Sequence, residues 1–168
     1  MYSLPYEYYE KDKVRKYGAH GTSYRYVSAR AASILGKPLK DLKLVICHLG
    51  AGASICAVKD GKSYDTSMGF SPLAGIQMAT RSGDVDVSAI QYIMDKEGIN
   101  NIDDMIEILN NKSGLLGVSG VSADLREVEH VMKQNHRAML AREMFKNRII
   151  KYIGSYIAEM GGIDALVY

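Results

Sequence analysis

The sequence has no tryptophan, two phenylalanines and two cysteines among its 168 residues. No apolar run approaches the ~20 residues that a membrane-spanning helix needs, so a helical span is excluded. The opening segment, Met1-Tyr2-Ser3-Leu4-Pro5-Tyr6-Glu7, lacks the charged and then apolar stretches of a secretory signal, and a cytoplasmic protein is expected. Neither sign of charge dominates. With 21 basic and 19 acidic residues the net charge is only +2, which argues against a nucleic-acid or membrane-surface footprint. Cys47 and Cys56 lie in apolar, strand-like runs and read as reduced small core residues rather than as a disulfide.

What is present is ordinary for a folded domain: 47% hydrophobic and 24% charged residues, enough apolar content to offset the entropy of ordering the chain. A chain of this length can bury about 70% of its unfolded surface, so a core can form without staples. The aromatic content rests on 12 tyrosines, many of them crowded into the first 26 residues.

Residues 1–22 read as a charged, tyrosine-rich lead-in and residues 23–168 as one α/β core. Ser23 is placed to cap a helix running to Leu35, with Tyr26, Val27, Arg30, Ala31, Ile34 and Leu35 at helical spacing and Gly36 and Pro38 as the stop. Leu42–His48 is a short continuous apolar run, as expected of a central strand. Ala53–Lys59 and Lys62–Thr66 follow as a hairpin around Asp60-Gly61, a pair that favours a type I′ turn. Ser67–Gly83 reads as a long loop of small residues, a length that usually signals function or disorder. Asp84 or Asp86 is expected to cap a helix through Glu97 with Val87, Ile90, Ile93 and Met94 turned inward. Asn101 is expected to cap another with Ile102, Met105, Ile106 and Leu109 on one face. Lys112–Val121 is rich in glycine and serine and reads as a loop. Ser122 is expected to cap a helix to about Lys133, and a long helix runs from about Arg137 to Met160, where Gly161-Gly162 ends it. Ile163–Tyr168 reads as a further buried strand. This order of helix, three-strand meander, helices and strand makes an α/β fold with a mixed sheet.

Two segments have the residue types of phosphate chemistry. His48-Leu49-Gly50-Ala51-Gly52-Ala53-Ser54 joins two strands, and glycines at alternate positions let a backbone turn tightly and bring N–H groups towards an anion. The same pair also serves a plain β-turn, and the Gly-Lys-Ser/Thr of a Walker A loop is missing. Met78-Ala79-Thr80-Arg81-Ser82-Gly83-Asp84 puts one arginine in a loop of small residues ahead of a helix, where it can clamp a phosphate or carboxylate or simply be solvated. His130 and His136 sit in charged helical sequence and read as surface residues. His20 and His48 have no cysteine or carboxylate at metal-ligand spacing, so no metal site is assigned. Asp124 and Arg126 open a helix, where the helix dipole alone favours an aspartate.

Five stretches together resemble the acetate/propionate kinase family: Tyr17-Gly18-Ala19-His20-Gly21-Thr22-Ser23, His48 to Ser54, Asp65-Thr66-Ser67-Met68-Gly69-Phe70-Ser71-Pro72-Leu73, Thr80-Arg81-Ser82-Gly83-Asp84, and Ser122-Ala123-Asp124-Leu125-Arg126. Their order and spacing match from end to end, which is far more specific than any one of them. The resemblance implies part of an RNase H-like domain of the actin-like ATPase superfamily. It implies an enzyme that transfers the γ-phosphoryl of ATP to acetate with Mg²⁺. In that reading His20 contacts the transferring phosphoryl and Arg81 stabilises charge on its oxygens. His48, Gly50, Ala51 and Gly52 belong to a phosphate-binding loop, and Asp124 and Arg126 lie near the adenosine. The family's dimerisation through its C-terminal half implies a homodimer or self-association.

The departures are equally specific. The family's first phosphate loop and the adenosine segment expected after Tyr168 have no counterpart, nor do the acidic groups associated with magnesium. The chain is therefore expected to be a truncated domain, about two-fifths of the enzyme. Ala19 stands where the family has Phe, Tyr24 where it has His, Ala51 where the loop has Asn, Ala74 where it has Glu and Ala79 where it has Gly. Alanines gathered in site loops suggest a fragment that has been cut and redesigned. Three readings follow: a kinase by family that is inactive as this chain alone, a residual nucleotide or phosphate binder, and a non-catalytic fragment that associates with itself.

Overall fold

The computed structural model describes all of residues 1–168. In chain order the elements are α1 (Tyr6–Glu10), α2 (Gly21–Leu35), β1 (Leu44–Leu49), β2 (Ala53–Lys59), β3 (Lys62–Thr66), α3 (Val87–Glu97), α4 (Ile102–Asn111), α5 (Gly114–Ser119), α6 (Leu125–Val131), α7 (His136–Met160) and β4 (Ala165–Val167). They fall into two compact units. One holds residues 1–49, 53–75 and 149–168, the other residues 50–52 and 76–148.

The first unit is built on a four-stranded mixed sheet in the order β3-β2-β1-β4. β1 pairs antiparallel with β2 and parallel with β4. Side chains alternate between faces along a strand, and the register pairs Leu44 with Val58, Ile46 with Cys56 and His48 with Ser54. Leu44, Ile46, Cys56 and Val58 pack with Tyr24, Ala31 and Ala32 of α2 in one core cluster. Val45, Cys47, Ile55 and Ala57, on the opposite face, are buried too. Burial on both faces is why β1 reads as a continuous apolar run rather than an alternating one. It also separates the cysteines: both are free and buried, on opposite faces of neighbouring strands.

Several expectations shift by a residue or two, each for a local reason. The β1 ladder starts at Leu44 rather than Leu42, because the Lys43 N–H donates to the Asp164 carboxylate at 2.8 Å and its carbonyl accepts the Asp164 N–H at 2.8 Å. β2 and β3 have the expected bounds, and Asp60 and Gly61 both take positive φ, at 53° and 73°, as a type I′ turn requires. α2 begins at Gly21 with His20 at its N-cap, not at Ser23, whose hydroxyl is used elsewhere. β4 is a short edge strand rather than a buried one: Leu166 and Tyr168 are exposed. In the lead-in, the Tyr2 hydroxyl accepts the Phe70 N–H at 2.7 Å, and Tyr17 packs edge-on against Phe70.

The second unit is helical. Leu115, Val128, Ala138 and Ala141 form its core cluster, with Val118, Leu125 and Phe145 against them. Asp86 caps α3, Asn101 caps α4 and Asp124 caps α6, each accepting a backbone N–H two residues on. Ser122 is not the cap of α6; its hydroxyl accepts the Asp124 N–H at 3.0 Å, which sets up Asp124 instead. α3 has no buried residue, and Val87, expected inward, is 82% exposed. A helical period identifies a stripe but not a partner to cover it. On α4 only Met105 is buried, while Ile102 and Ile106 are exposed. The expected loop 112–121 contains α5, closed by Gly120 at φ 67°. α7 has nearly its expected bounds, and Gly161 and Gly162 follow it at positive φ.

Candidate functional site

The alternation of the sheet places His48 and Ser54 opposite each other on the face that α2 covers. The first turn of α2 supplies the matching groups. The His20 Nδ1 lies 2.7 Å from the Ser54 hydroxyl, and the Ser23 hydroxyl lies 2.9 Å from the His48 Nδ1. Helix and sheet thus exchange a histidine–serine bond in each direction. The two imidazoles stack, with centroids 3.9 Å apart and planes 20° apart. Tyr24, one turn into α2, is buried and hydrogen-bonds Ser54 through its hydroxyl. Burial holds the Tyr24 phenol well above its ordinary range, so it stays protonated.

His20 is aimed by the residues before it. The Tyr17 and Gly18 N–H groups donate to the Gly69 carbonyl, at 2.9 and 3.4 Å. Gly18 has φ 73°, and a Cβ there would stand 3.2 Å from Thr66 Cγ2, so the turn into His20 favours glycine on both counts. No side chain caps the N-terminus of α2. The first-turn amides and the positive end of a 15-residue helix therefore point out beside His20. A cleft of about 470 Å³, bordered by Gly18, Ala19, His20, Arg25, Lys62 and Thr66, opens at this place.

Arg81 stands in a second constellation, with the Gly50-Ala51-Gly52 turn. The Gly50 N–H donates to the Gly52 carbonyl at 3.3 Å, and the Ala51 carbonyl accepts the Ala79 N–H at 3.3 Å. The loop carrying Arg81 is held by backbone bonds from the α4–α5 junction. Ser113, Leu115 and Leu116 donate to the carbonyls of Thr80, Met78 and Ala79, and the Thr80 hydroxyl donates to the Asn110 carbonyl. Arg81 is half-buried and belongs to none of the ion pairs; its Nη1 lies 4.0 Å from Met78 Sδ. A clamped loop and a guanidinium with no carboxylate partner suit an anion from outside the chain.

Asp124 and Arg126 are close to each other. The Arg126 Nη2 is 2.6 Å and its Nε 3.1 Å from the Asp124 carboxylate, which also accepts the Arg126 N–H. These bonds hold the Asp124 carboxyl down at about 2. A carboxyl lowered on folding stabilises above its ordinary value of 3.8 and loses that contribution as pH falls through its folded value. A carbon-detected NMR titration should therefore find Asp124 still ionised at pH 3, and Arg126→Ala should raise its midpoint. A wild-type midpoint at the ordinary value would remove the pairing.

No group of three or more His, Cys, Asp or Glu side chains is arranged to hold a metal ion. Asp65, the half-buried acid near the lead-in, is tied to Lys16 at 3.0 Å. The residues present do not fit a resident magnesium site. No helix is long and apolar enough to cross a membrane. His130 and His136 are exposed, as their sequence setting predicts.

Of the site residues read from sequence, His20 and His48 meet in one cluster. Gly50, Ala51 and Gly52 share the other with Arg81, and Asp124 pairs with Arg126. Sequence reading missed Ser54, Ser23 and Tyr24 as partners of the histidines. The signal was available in two parts: Ser54 lies one strand pairing from His48, and Ser23 and Tyr24 lie three and four residues beyond His20, the spacing of one helical turn.

The sequence profile of the acetokinase family matches residues 1–168. The acetate kinase of Fructilactobacillus sanfranciscensis is 66% identical over 168 residues, which are 100% of this chain and 42% of that enzyme. The acetate kinase of Bacillus subtilis (strain 168) is 60% identical over 169 residues, again 100% of this chain and 42% of the relative. Among solved structures, Porphyromonas gingivalis acetate kinase superposes with a TM-score of 0.96 at 51% identity, covering 100% of this chain and 42% of that one. A propionate kinase from Francisella tularensis superposes with a TM-score of 0.92 at 46% identity, over 99% and 43%. The chain thus spans about 42% of the length of the curated relatives it matches. Acetate kinases have the actin-like ATPase fold, and the mixed sheet and helices described above are part of it. A match over every residue, in sequence and in backbone, shows that the chain belongs to the acetokinase family.

Proposed function

We propose that this chain carries phosphoryl-handling residues of an acetate-kinase-type phosphotransferase, acting between ATP and acetate or a similar short carboxylate. The observation that carries the reading is the cross-braced pair of His20 and His48 at the uncapped N-terminus of α2. Phosphoryl transfer through a loose transition state asks the protein mainly for positioning and for stabilisation of charge on the equatorial oxygens. His20 and the first-turn amides of α2 donate hydrogen bonds to those oxygens. Arg81 adds a fixed positive charge, on a loop linked to the Gly50-Ala51-Gly52 turn through the Ala51 carbonyl. Asp124 and Arg126 stand beside the nucleoside. Mg²⁺ bound with ATP would supply neutralisation of phosphate charge, and no residue of this chain is assigned to hold it.

The 168-residue polypeptide alone is expected to make no acetyl phosphate, because preorganised sites lose rate steeply when parts are missing. A chimera tests the reading directly. This sequence replaces the matching 168 residues of the Fructilactobacillus sanfranciscensis enzyme, to which it is 66% identical, and acetyl phosphate is trapped as its hydroxamate. Formation of acetyl phosphate by the chimera is the expected result; a folded chimera without activity overturns it. The alternative, a non-catalytic module that associates with itself, has one observation in its favour. Tyr26, Ile34 and Leu35 of α2 border an exposed apolar groove with Ala165 and Val167 of β4. It is the reading left standing if the chimera is inactive.

A further inference from the structure

The direction of the hydrogen bonds around Ser54 is determined by counting protons. Ser54 is fully buried in β2, and its hydroxyl has two neighbours, the Tyr24 hydroxyl and the His20 Nδ1. It has one proton to give. Ser54 is the only hydrogen-bond partner of the Tyr24 hydroxyl. If Ser54 donated to Tyr24, the buried phenolic proton would be left without an acceptor, a cost comparable to a lost hydrogen bond. The arrangement that satisfies both hydroxyls has Tyr24 donating to Ser54 and Ser54 donating to the His20 Nδ1. An Nδ1 that accepts a hydrogen bond carries no proton, and the ring proton of a neutral imidazole then sits on Nε2.

We infer that Tyr24 and Ser54 are positioning residues, a two-hydroxyl relay that fixes His20 as the tautomer with its proton on Nε2. The inference rests on the proposed role of His20 as a donor to a phosphoryl oxygen, because that role needs one specified N–H facing the ligand. The neighbouring histidine supplies the contrast. His48 Nδ1 meets Ser23, whose hydroxyl has no second partner to set its direction. The device is therefore particular to His20, even though the two rings are stacked at 3.9 Å. Tyr24 is also the residue that differs from the histidine the family resemblance leads one to expect, so the relay belongs to this chain's own sequence.

The test is the tautomeric state of His20 in the 168-residue chain, read from ¹⁵N chemical shifts of the imidazole nitrogens above the pH of ring protonation. Wild type is expected to show His20 Nδ1 as the unprotonated, pyridine-type nitrogen and Nε2 as the protonated one. Tyr24→Phe keeps the ring and removes the donor, freeing Ser54 to accept from Nδ1–H. It should lower the ratio of Nε2–H to Nδ1–H by about five-fold, the equivalent of one neutral hydrogen bond, while His48 stays unchanged. Ser54→Ala should abolish the hydrogen-bonded Nδ1 shift altogether; if that variant does not fold, Tyr24→Phe still decides. A wild-type proton on Nδ1, or an unchanged ratio in Tyr24→Phe, overturns the relay. Titration with inorganic phosphate separates it from the functional reading. If phosphate leaves the His20 resonances unmoved while Tyr24→Phe shifts the tautomer, the phosphoryl role fails and the relay stands.

Discussion

Arg81→Ala in the chimeric enzyme is expected to lower acetyl phosphate formation by about 10³-fold or more, the scale of an arginine that stabilises a phosphoryl-transfer transition state. Three observations set that size. Arg81 is half-buried, so its charge acts across a medium less polarisable than bulk water. It makes no ion pair, so no carboxylate within the chain offsets it. Its loop is fixed by backbone bonds from Ser113, Leu115 and Leu116, so little reorganisation remains for the moment of reaction. Arg81→Lys keeps the charge but loses the planar fork, and should recover only part of the rate. A loss below tenfold in Arg81→Ala, with the chimera folded, would move Arg81 out of contact with the transferring group.

Gly114→Ala is the substitution expected to cost most stability. Gly114 has φ 63°, and a Cβ there would stand 2.8 Å from the Arg81 carbonyl oxygen and 2.9 Å from the Arg81 nitrogen. Left-handed backbone costs an L-residue about 1–2 kcal/mol, and forcing a methyl into closed packing about 1–3 kcal/mol more. The obstructing atoms are backbone, so no side chain can swing aside. The expected loss in urea melts is about 2–5 kcal/mol, with amide protection falling first over residues 76–120. Gly154→Ala provides the opposite sign within the same chain. Gly154 lies inside α7 with nothing within 4 Å of a Cβ. Alanine there should be neutral or stabilising by up to about 1 kcal/mol. Equal effects at the two positions would refute the steric account of Gly114.

The same glycine shows where sequence reading stops. Three glycines between Lys112 and Val121 predict a loop, yet Gly114 and Gly120 open and close α5. A glycine records that something comes close, or that φ is positive, without saying which. The hairpin turn was legible because its chemistry is local: Asp60-Gly61 specifies the turn and the pairing of Lys59 with Lys62 beside it, whereas the register shift between Ala57 and Val58 carries no such local signal. Helix ends bounded by Asp86, Asn101, Gly36 and Gly98 were legible for the same reason. Inward faces were not. Val87 and Ile93 carry a helical period, but what covers a stripe is tertiary information. Ser23 illustrates the site. Its type and place fit a helix cap, and the competing partner, His48, lies 25 residues away in sequence. His20, His48 and Arg81 could be picked out as chemistry-bearing residues. Strand pairing and helical spacing bring Ser54 and Tyr24 near the histidines, but which hydroxyl bonds which ring is defined only once their neighbours are placed.

The alternation that separates the two cysteines gives the chain a covalent memory of folding errors. In the native register Ile46 faces Cys56, and Cys47 points to the other side of the sheet. Burial pushes both thiols up to about 11, which leaves little thiolate to react in the folded state. A slip of one residue between β1 and β2 turns every side chain of the slipped strand to the other face. In one of its two directions the slip sets Cys47 directly opposite Cys56. A Cys47–Cys56 disulfide is thus a product the native sheet cannot form, and oxidation would lock in the misregistered chain rather than the correct one.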